Sequence, residues 1–494
     1  MNKLISIFIF AILLSNCKEK ETVAAKTSNP LEYSMDHYAS LFLENPELNS
    51  ISIGLYKDGE TFQKFYGEID KGKGNLPNAN SIFELASVTK TFTAFLAAKA
   101  VLEGKITLED DISMHLDGTF DNLEFEGRPI KIKDLLTHTS GLTRDATKTL
   151  SLVFSSTANE EEKATLAAYN RESLMGDLKQ VELDTIPGSR YDYSPFVGPE
   201  LLATILEKVY QKSYQEMLQQ EIFDKAEMVE TSMLVKAADQ KNFMNGYSDE
   251  GELAEPMPLI MSGAGGGLKS TIPDVLKYIK FLLESKSPEI EEMQRHLFFD
   301  EEEGDAYGYF WDIGEGEFMH KGGTGGSTIW VFLLPEDNAG FTVVFNSNGD
   351  SSEWLSNRIA GRIKDDIEIY PKKNIYFAMR KALLANTESG IEYYHQFKKD
   401  SLVQFDFDDS QMLNRIGYEL LREEKFSEGI KVFQLLVSEF PDSANPYDSL
   451  GEGYLLNEQY DLALMNYKKS LELNPESENA KHMIEEIERA QNNQ

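Results

Sequence analysis

Beyond residue 405 the chain repeats itself at a fixed offset. Ile416 matches Leu450, Gly417 matches Gly451, Phe426 matches Tyr460, Gly429 matches Ala463, Phe433 matches Tyr467 and Pro441 matches Pro475, each pair 34 residues apart. A chance likeness does not hold one period over positions of matching type. A unit of this length is one helical hairpin, which cannot bury its apolar face alone and must stack on a neighbour. The C-terminal part is therefore expected to be a stack of antiparallel helices. Two copies bury too little, because about three are needed for a stable stack. The pattern predicts a degenerate first pair over residues 374–385 and 390–399, turning at Asn386-Thr387-Glu388-Ser389, and a capping helix over 479–490.

In the second copy, Tyr447, Leu450, Gly451 and Tyr454, followed by Ala463, Tyr467 and Pro475, resemble the tetratricopeptide pattern. The resemblance implies a concave groove that takes a protein or peptide partner.

A length of 494 residues exceeds what one core serves, since cores stop growing at roughly 250–300 residues and chains then divide. Apolar residues make up 41%, enough to exclude wholesale disorder. The organisation expected is a leader over 1–17, a tether over 18–34, a catalytic domain over 35–366, a linker with the degenerate helical repeat over 367–404, and the repeats with their cap over 405–494.

The formal net charge of −35 repels phosphate backbones and anionic membrane surfaces, which excludes nucleic acid as a partner. Met1-Asn2-Lys3 precedes an apolar run from Leu4 to Leu14, too short to span a bilayer and typical of an exported precursor. Cys17 is the only cysteine, so no internal disulfide forms. Leu14-Ser15-Asn16-Cys17 resembles a bacterial lipobox, with Asn16 where Gly or Ala is usual. This implies lipidation at Cys17 and contact with the membrane through that anchor alone, in the cell envelope, periplasmic or at the surface.

Between these ends strand-like and helix-like stretches mix. Residues 51–55 and 62–66 alternate around Lys57-Asp58-Gly59, a hairpin signal, and strands return at 329–334 and 341–346 around Pro335-Glu336-Asp337-Asn338. Helical patterns occupy 91–103 and 199–211. Early and late strands must then meet in one sheet with helices packed on it. Glycine-rich turns stand at 263–267 and 322–326.

Ser87 and Lys90 are three apart at the start of an apolar helical stretch, and so share a face. If the helix begins at Ser87, its hydroxyl sits where unpaired N–H groups and the helix dipole favour negative charge. A neighbouring ammonium stabilises an alkoxide, and a desolvated, neutral amine takes the proton itself. A serine and a lysine at this spacing arise by chance about once or twice in such a chain, so the pair alone decides nothing. The other reading is a capping serine beside a surface lysine, against which stands the apolar surface of Phe92, Ala94, Phe95, Leu96, Ala97 and Ala98.

Three further elements follow in order. They are Leu135-Leu136-Thr137-His138-Thr139-Ser140-Gly141-Leu142, then Pro187-Gly188-Ser189-Arg190-Tyr191-Asp192-Tyr193-Ser194, then His320-Lys321-Gly322-Gly323-Thr324-Gly325-Gly326. With the Ser-x-x-Lys start, these resemble the serine β-lactamase family of the class C, DD-peptidase and esterase type. The resemblance implies an α/β (α+β) β-lactamase/transpeptidase-like domain, an antiparallel sheet flanked by helices with a helical subdomain, followed here by the all-α repeat domain. It implies catalysis by Ser87, Lys90 and Tyr193, with Tyr191 the rival phenol, and a substrate and oxyanion pocket formed by His320, Gly322 and Gly323. His138 and Ser140 are read as structural. Pro195 stands where the family has an asparagine that holds the substrate's amide carbonyl, which favours ester or other acyl substrates over β-lactams.

The activity implied is serine acyl hydrolysis of a D-amino-acid peptide, a β-lactam or a small ester, with no cofactor and no metal. The alternative is a catalytically weak scaffold that binds envelope proteins or peptides through its repeats.

Overall fold

Asp58 and Gly59 both adopt positive φ, +50° and +91°, the backbone that reverses two strands through two residues. In the computed structural model of the protein they join β1 (Ser50–Lys57) to β2 (Glu60–Gly67), with Lys57 opposite Glu60. The structure describes residues 29–144, 146–155, 158–258 and 263–492. Cys17 and the leader lie outside the described residues. Contacts divide the chain into two units, residues 38–364 and the remainder.

In the larger unit six more strands complete one antiparallel sheet: β3 (Phe298–Asp300), β4 (Asp305–Gly308), β5 (Trp311–Gly314), β6 (Glu317–Gly323), β7 (Thr328–Leu334) and β8 (Ala339–Phe345). Their order is β2-β1-β8-β7-β6-β5-β4-β3. Early and late strands do meet: β1 pairs with β8 from Ile51 opposite Phe345 to Lys57 opposite Ala339. Strands β7 and β8 are buried at every position, as their β-branched and aromatic residues require of central strands covered on both faces.

Helix α1 (Thr89–Leu102) is buried from Thr89 through Ala98 and is the centre of the core. Around it lie α2 (Ile132–Leu136), α3 (Val197–Tyr210) and α4 (Ile272–Glu284). Phe92 stacks on Tyr278 of α4 at 3.9 Å. A Cβ on Gly340 would lie 2.6 Å from Ile279, so glycine lets α4 lie close against β8. The fold class is the one expected from the sequence, an antiparallel sheet flanked by helices. Among the described residues no helix is long and apolar enough to cross a membrane.

The second unit holds α5 (Tyr376–Ala385), α6 (Thr387–Ser401), α7 (Ser410–Arg422), α8 (Phe426–Glu439), α9 (Ala444–Leu456), α10 (Tyr460–Leu473) and α11 (Glu478–Asn492). The 34-residue offset recurs in the backbone. Glu424 and Glu458 both turn at φ +58°, followed by Lys425 N–H on the Leu420 carbonyl and Gln459 N–H on that of Tyr454. Small residues on one helix seat an aromatic of the next, Gly417 under Phe433 and Gly451 under Tyr467.

Candidate active site

Ser87 sits just ahead of the α-helix. Ala86–Val88 forms a 3-10 turn that runs straight into α1, so the α-helix begins at Thr89, two residues later than a start at Ser87. Ala86 is held at φ +46°, a left-handed backbone that costs a non-glycine residue roughly 1–2 kcal/mol. Neighbours on both sides pin it. Leu85 N–H bonds the Leu268 carbonyl at 2.9 Å, and β6 lies directly against the turn. A Cβ on Gly322 would fall 2.5 Å from the Leu85 oxygen and 2.8 Å from Ile329, so only glycine fits there. Gly323 ends β6 and is exposed, and a Cβ on it would meet nothing closer than Asn348 at 3.7 Å.

Lys90 is wholly buried one turn along. Its Nζ donates to Ser87 Oγ at 2.9 Å and to the Gly265 carbonyl at 2.7 Å. Burial pushes the Lys90 ammonium below the ordinary lysine value, against the pull of Tyr193 and Glu200.

The Tyr193 hydroxyl lies 2.6 Å from Ser87 Oγ, and Lys90 Nζ is 5.1 Å from the centre of its ring. Three groups far apart in sequence thus converge on one oxygen. Tyr191 does not share this place. It stacks on Tyr307 at 4.3 Å, and burial, with Asp312 nearby, holds its phenol far above the usual range.

The segment carrying Tyr193 is braced by the turn after α2. Gly188 N–H bonds the Thr139 carbonyl at 2.8 Å and Asp192 N–H that of His138 at 2.7 Å, while Ser194 N–H donates to His138 Nδ1 at 3.2 Å. Gly141, at φ +75°, closes that turn. His138 also packs on Phe310 at 5.2 Å. Phe310 belongs to the two-residue turn between β4 and β5, where Tyr309 and Phe310 both hold positive φ. The Phe310 N–H bond to the Leu136 carbonyl, 2.7 Å, fastens this turn to α2.

His320, in β6, is 4% exposed, and neither of its ring nitrogens has a hydrogen-bond partner. Backbone of Phe310 and Ser87 faces the ring without reaching hydrogen-bond geometry, and burial together with Lys90 drives its pKa down to about 3. Burial, Lys90 and His320 likewise keep His138 neutral.

Two neighbours of the site escaped the sequence reading. Gly265 was visible only as part of a glycine-rich turn. Glu200 is 2% exposed, and a lone carboxylate in the apolar run from Val197 to Leu206 was the signal available.

The Beta-lactamase family model matches residues 36–364. Protein flp of Staphylococcus aureus (strain N315) is 27% identical over 336 residues, covering 66% of this chain and 65% of that protein. The chain thus matches under two thirds of that relative's length. The D-alanyl-D-alanine-carboxypeptidase/endopeptidase AmpH of Escherichia coli (strain K12) is 23% identical over 332 residues, covering 63% of this chain and 82% of that one. Among solved structures, the β-lactamase/D-alanine carboxypeptidase from Yersinia pestis complexed with citrate has the same fold. It aligns with TM-score 0.58 and 20% identity over 68% of this chain and 98% of that one. From residue 36 to residue 364, then, the chain belongs to the Beta-lactamase family.

Proposed function

We propose that the chain is a serine hydrolase that transfers an acyl group to Ser87 and then to water. The observation that carries this reading is the convergence of the Tyr193 hydroxyl and the Lys90 amine on Ser87 Oγ, at 2.6 and 2.9 Å. Ser87 attacks a carbonyl carbon, its proton passes into the Tyr193–Lys90 pair, and the same pair returns a proton to the leaving group. The main-chain N–H groups of Ser87 and Gly323 hold the oxyanion, each such donor being worth about two to three powers of ten in rate. His320, neutral and buried, lines the pocket beside them.

The substrate class is a D-amino-acid peptide or a small ester in preference to a β-lactam. Pro195 offers no side-chain donor, so a lactam's amide carbonyl lacks a holder at that position. The test is hydrolysis of nitrocefin, a short-chain nitrophenyl ester and a D-alanyl-D-alanine peptide, with Ser87→Ala as control. Turnover of none by folded protein overturns the reading.

The helical unit is read as tetratricopeptide repeats with a peptide or protein partner in their groove, and the leader as the signal of an exported protein anchored by lipid on Cys17. Deletion of residues 405–494 tests the first, by loss of partner recovery. Incorporation of labelled fatty acid, absent in Cys17→Ser, tests the second.

A further inference from the structure

Gly263-Ala264-Gly265-Gly266-Gly267 folds into a tight turn closed by Gly267 N–H on the Gly263 carbonyl at 2.7 Å. Its carbonyls face α1: Thr93 Oγ1 donates to Ala264 at 3.1 Å, and Lys90 Nζ to Gly265 at 2.7 Å. The other main-chain group of Gly265, its N–H, points to Glu200 Oε1 at 3.4 Å. Gly265 admits no side chain, since a Cβ there would lie 2.5 Å from the Pro195 carbonyl oxygen. One glycine therefore links a buried carboxylate on α3 to a buried amine on α1.

The electrostatics point the same way. A buried amine without a counter-charge gives up its proton. Among the described residues, the titratable groups acting on or acted on by Lys90 are Tyr193, Glu200, His138 and His320. Lys90 depresses both histidines, which are neutral and supply no counter-charge, and Tyr193 is a phenol, which leaves Glu200 as the carboxylate of the set. Pro195, at the head of the segment leading into α3, has no side-chain acceptor to offer the amine.

We infer that Glu200 is a positioning residue for acyl transfer: through Gly265 its carboxylate fixes the Lys90 amine beside Ser87 and provides the buried negative charge that lets this amine hold a proton. The inference rests on the reading of Ser87, Lys90 and Tyr193 as the reacting cluster.

The experiment uses the full chain with lysine labelled by carbon-13 at the ε position, the Lys90 signal being assigned by its loss in Lys90→Arg. Glu200→Gln keeps the shape and an acceptor oxygen and removes the charge. The Lys90 titration midpoint is expected to fall by about one pH unit or more in this variant, and the pH profile of ester hydrolysis to shift with it at little change in KM. Should Glu200→Gln fail to fold, Glu200→Met, of similar length with no polar group to bury, takes its place. An unchanged Lys90 midpoint in a folded charge-removing variant overturns the inference. Wild-type protein that hydrolyses nothing sinks the Ser87 reading instead, and the midpoint still decides the role of Glu200.

Discussion

His138 accepts the Ser194 N–H on Nδ1 at 3.2 Å while its ring packs 4.6 Å from that of Tyr193. One imidazole thus grips the backbone beside the phenol and the phenol's own face. Because Nδ1 accepts, the ring proton sits on Nε2. The residue read from sequence as part of a turn also holds the side chain that meets Ser87. His138→Ala is expected to lower kcat by roughly ten- to a hundred-fold with KM little changed, since small misplacements of a reacting group cost that much. His138→Asn, which restores an acceptor for Ser194, recovers part of the loss. Steady-state kinetics with the ester substrate decides it.

The depressed pKa of Lys90 sets the pH dependence. Burial favours the neutral amine, so the form able to take the Ser87 proton becomes populated below the ordinary lysine value of about 10.4. Activity is expected to rise with pH along a limb whose midpoint lies below that value. Lys90→Arg, whose guanidinium stays charged, abolishes the limb together with the activity. A plot of kcat/KM against pH shows both.

Asp366 makes the stability of the helical unit sensitive to pH. Burial lifts its carboxyl to about 7, although Ser34 and Asn374 donate to it. The folded chain holds this proton to higher pH than the unfolded chain does, so the stability it contributes is full below about pH 4 and is lost as pH rises through 7. Asp366→Asn removes that loss. The variant's advantage over wild type in thermal unfolding is expected to grow between pH 4 and 8, to at most about 4 kcal/mol.

Gly417 and Gly451 occupy equivalent places in successive hairpins but differ in clearance. A Cβ on Gly417 would lie 2.3 Å from the Phe433 ring, and one on Gly451 3.1 Å from Tyr467. Alanine gains about 1 kcal/mol of helix propensity at either site. Gly451→Ala is therefore expected to be near neutral, whereas Gly417→Ala loses about 1–3 kcal/mol to overpacking. Urea unfolding of the two variants measures the difference.

Much of this architecture is written in local patterns. Asp58-Gly59 announces its hairpin because few other residues take positive φ freely, and the alternation in β1 and β2 fixes which residues pair. Tyr309 and Phe310 form a turn of the same two-residue kind with no such signal, since bulky residues are held there by contacts with His138 and the Leu136 carbonyl. Ser87, Lys90 and Tyr193 were named from ordered motifs, and their convergence is a product of tertiary packing. Gly265 and Glu200 act through main-chain groups and burial, which no spacing along the chain reveals. The 3-10 turn at Ala86–Val88 likewise depends on β6 pressing against it through Gly322.

The most direct test of a nucleophilic Ser87 is mass spectrometry of the folded chain after treatment with a fluorophosphonate. The account predicts one adduct, on the peptide containing Ser87, absent in Ser87→Ala and slowed in Lys90→Met and Tyr193→Phe. Folded protein that stays unmodified, or carries its adduct on another serine, contradicts it.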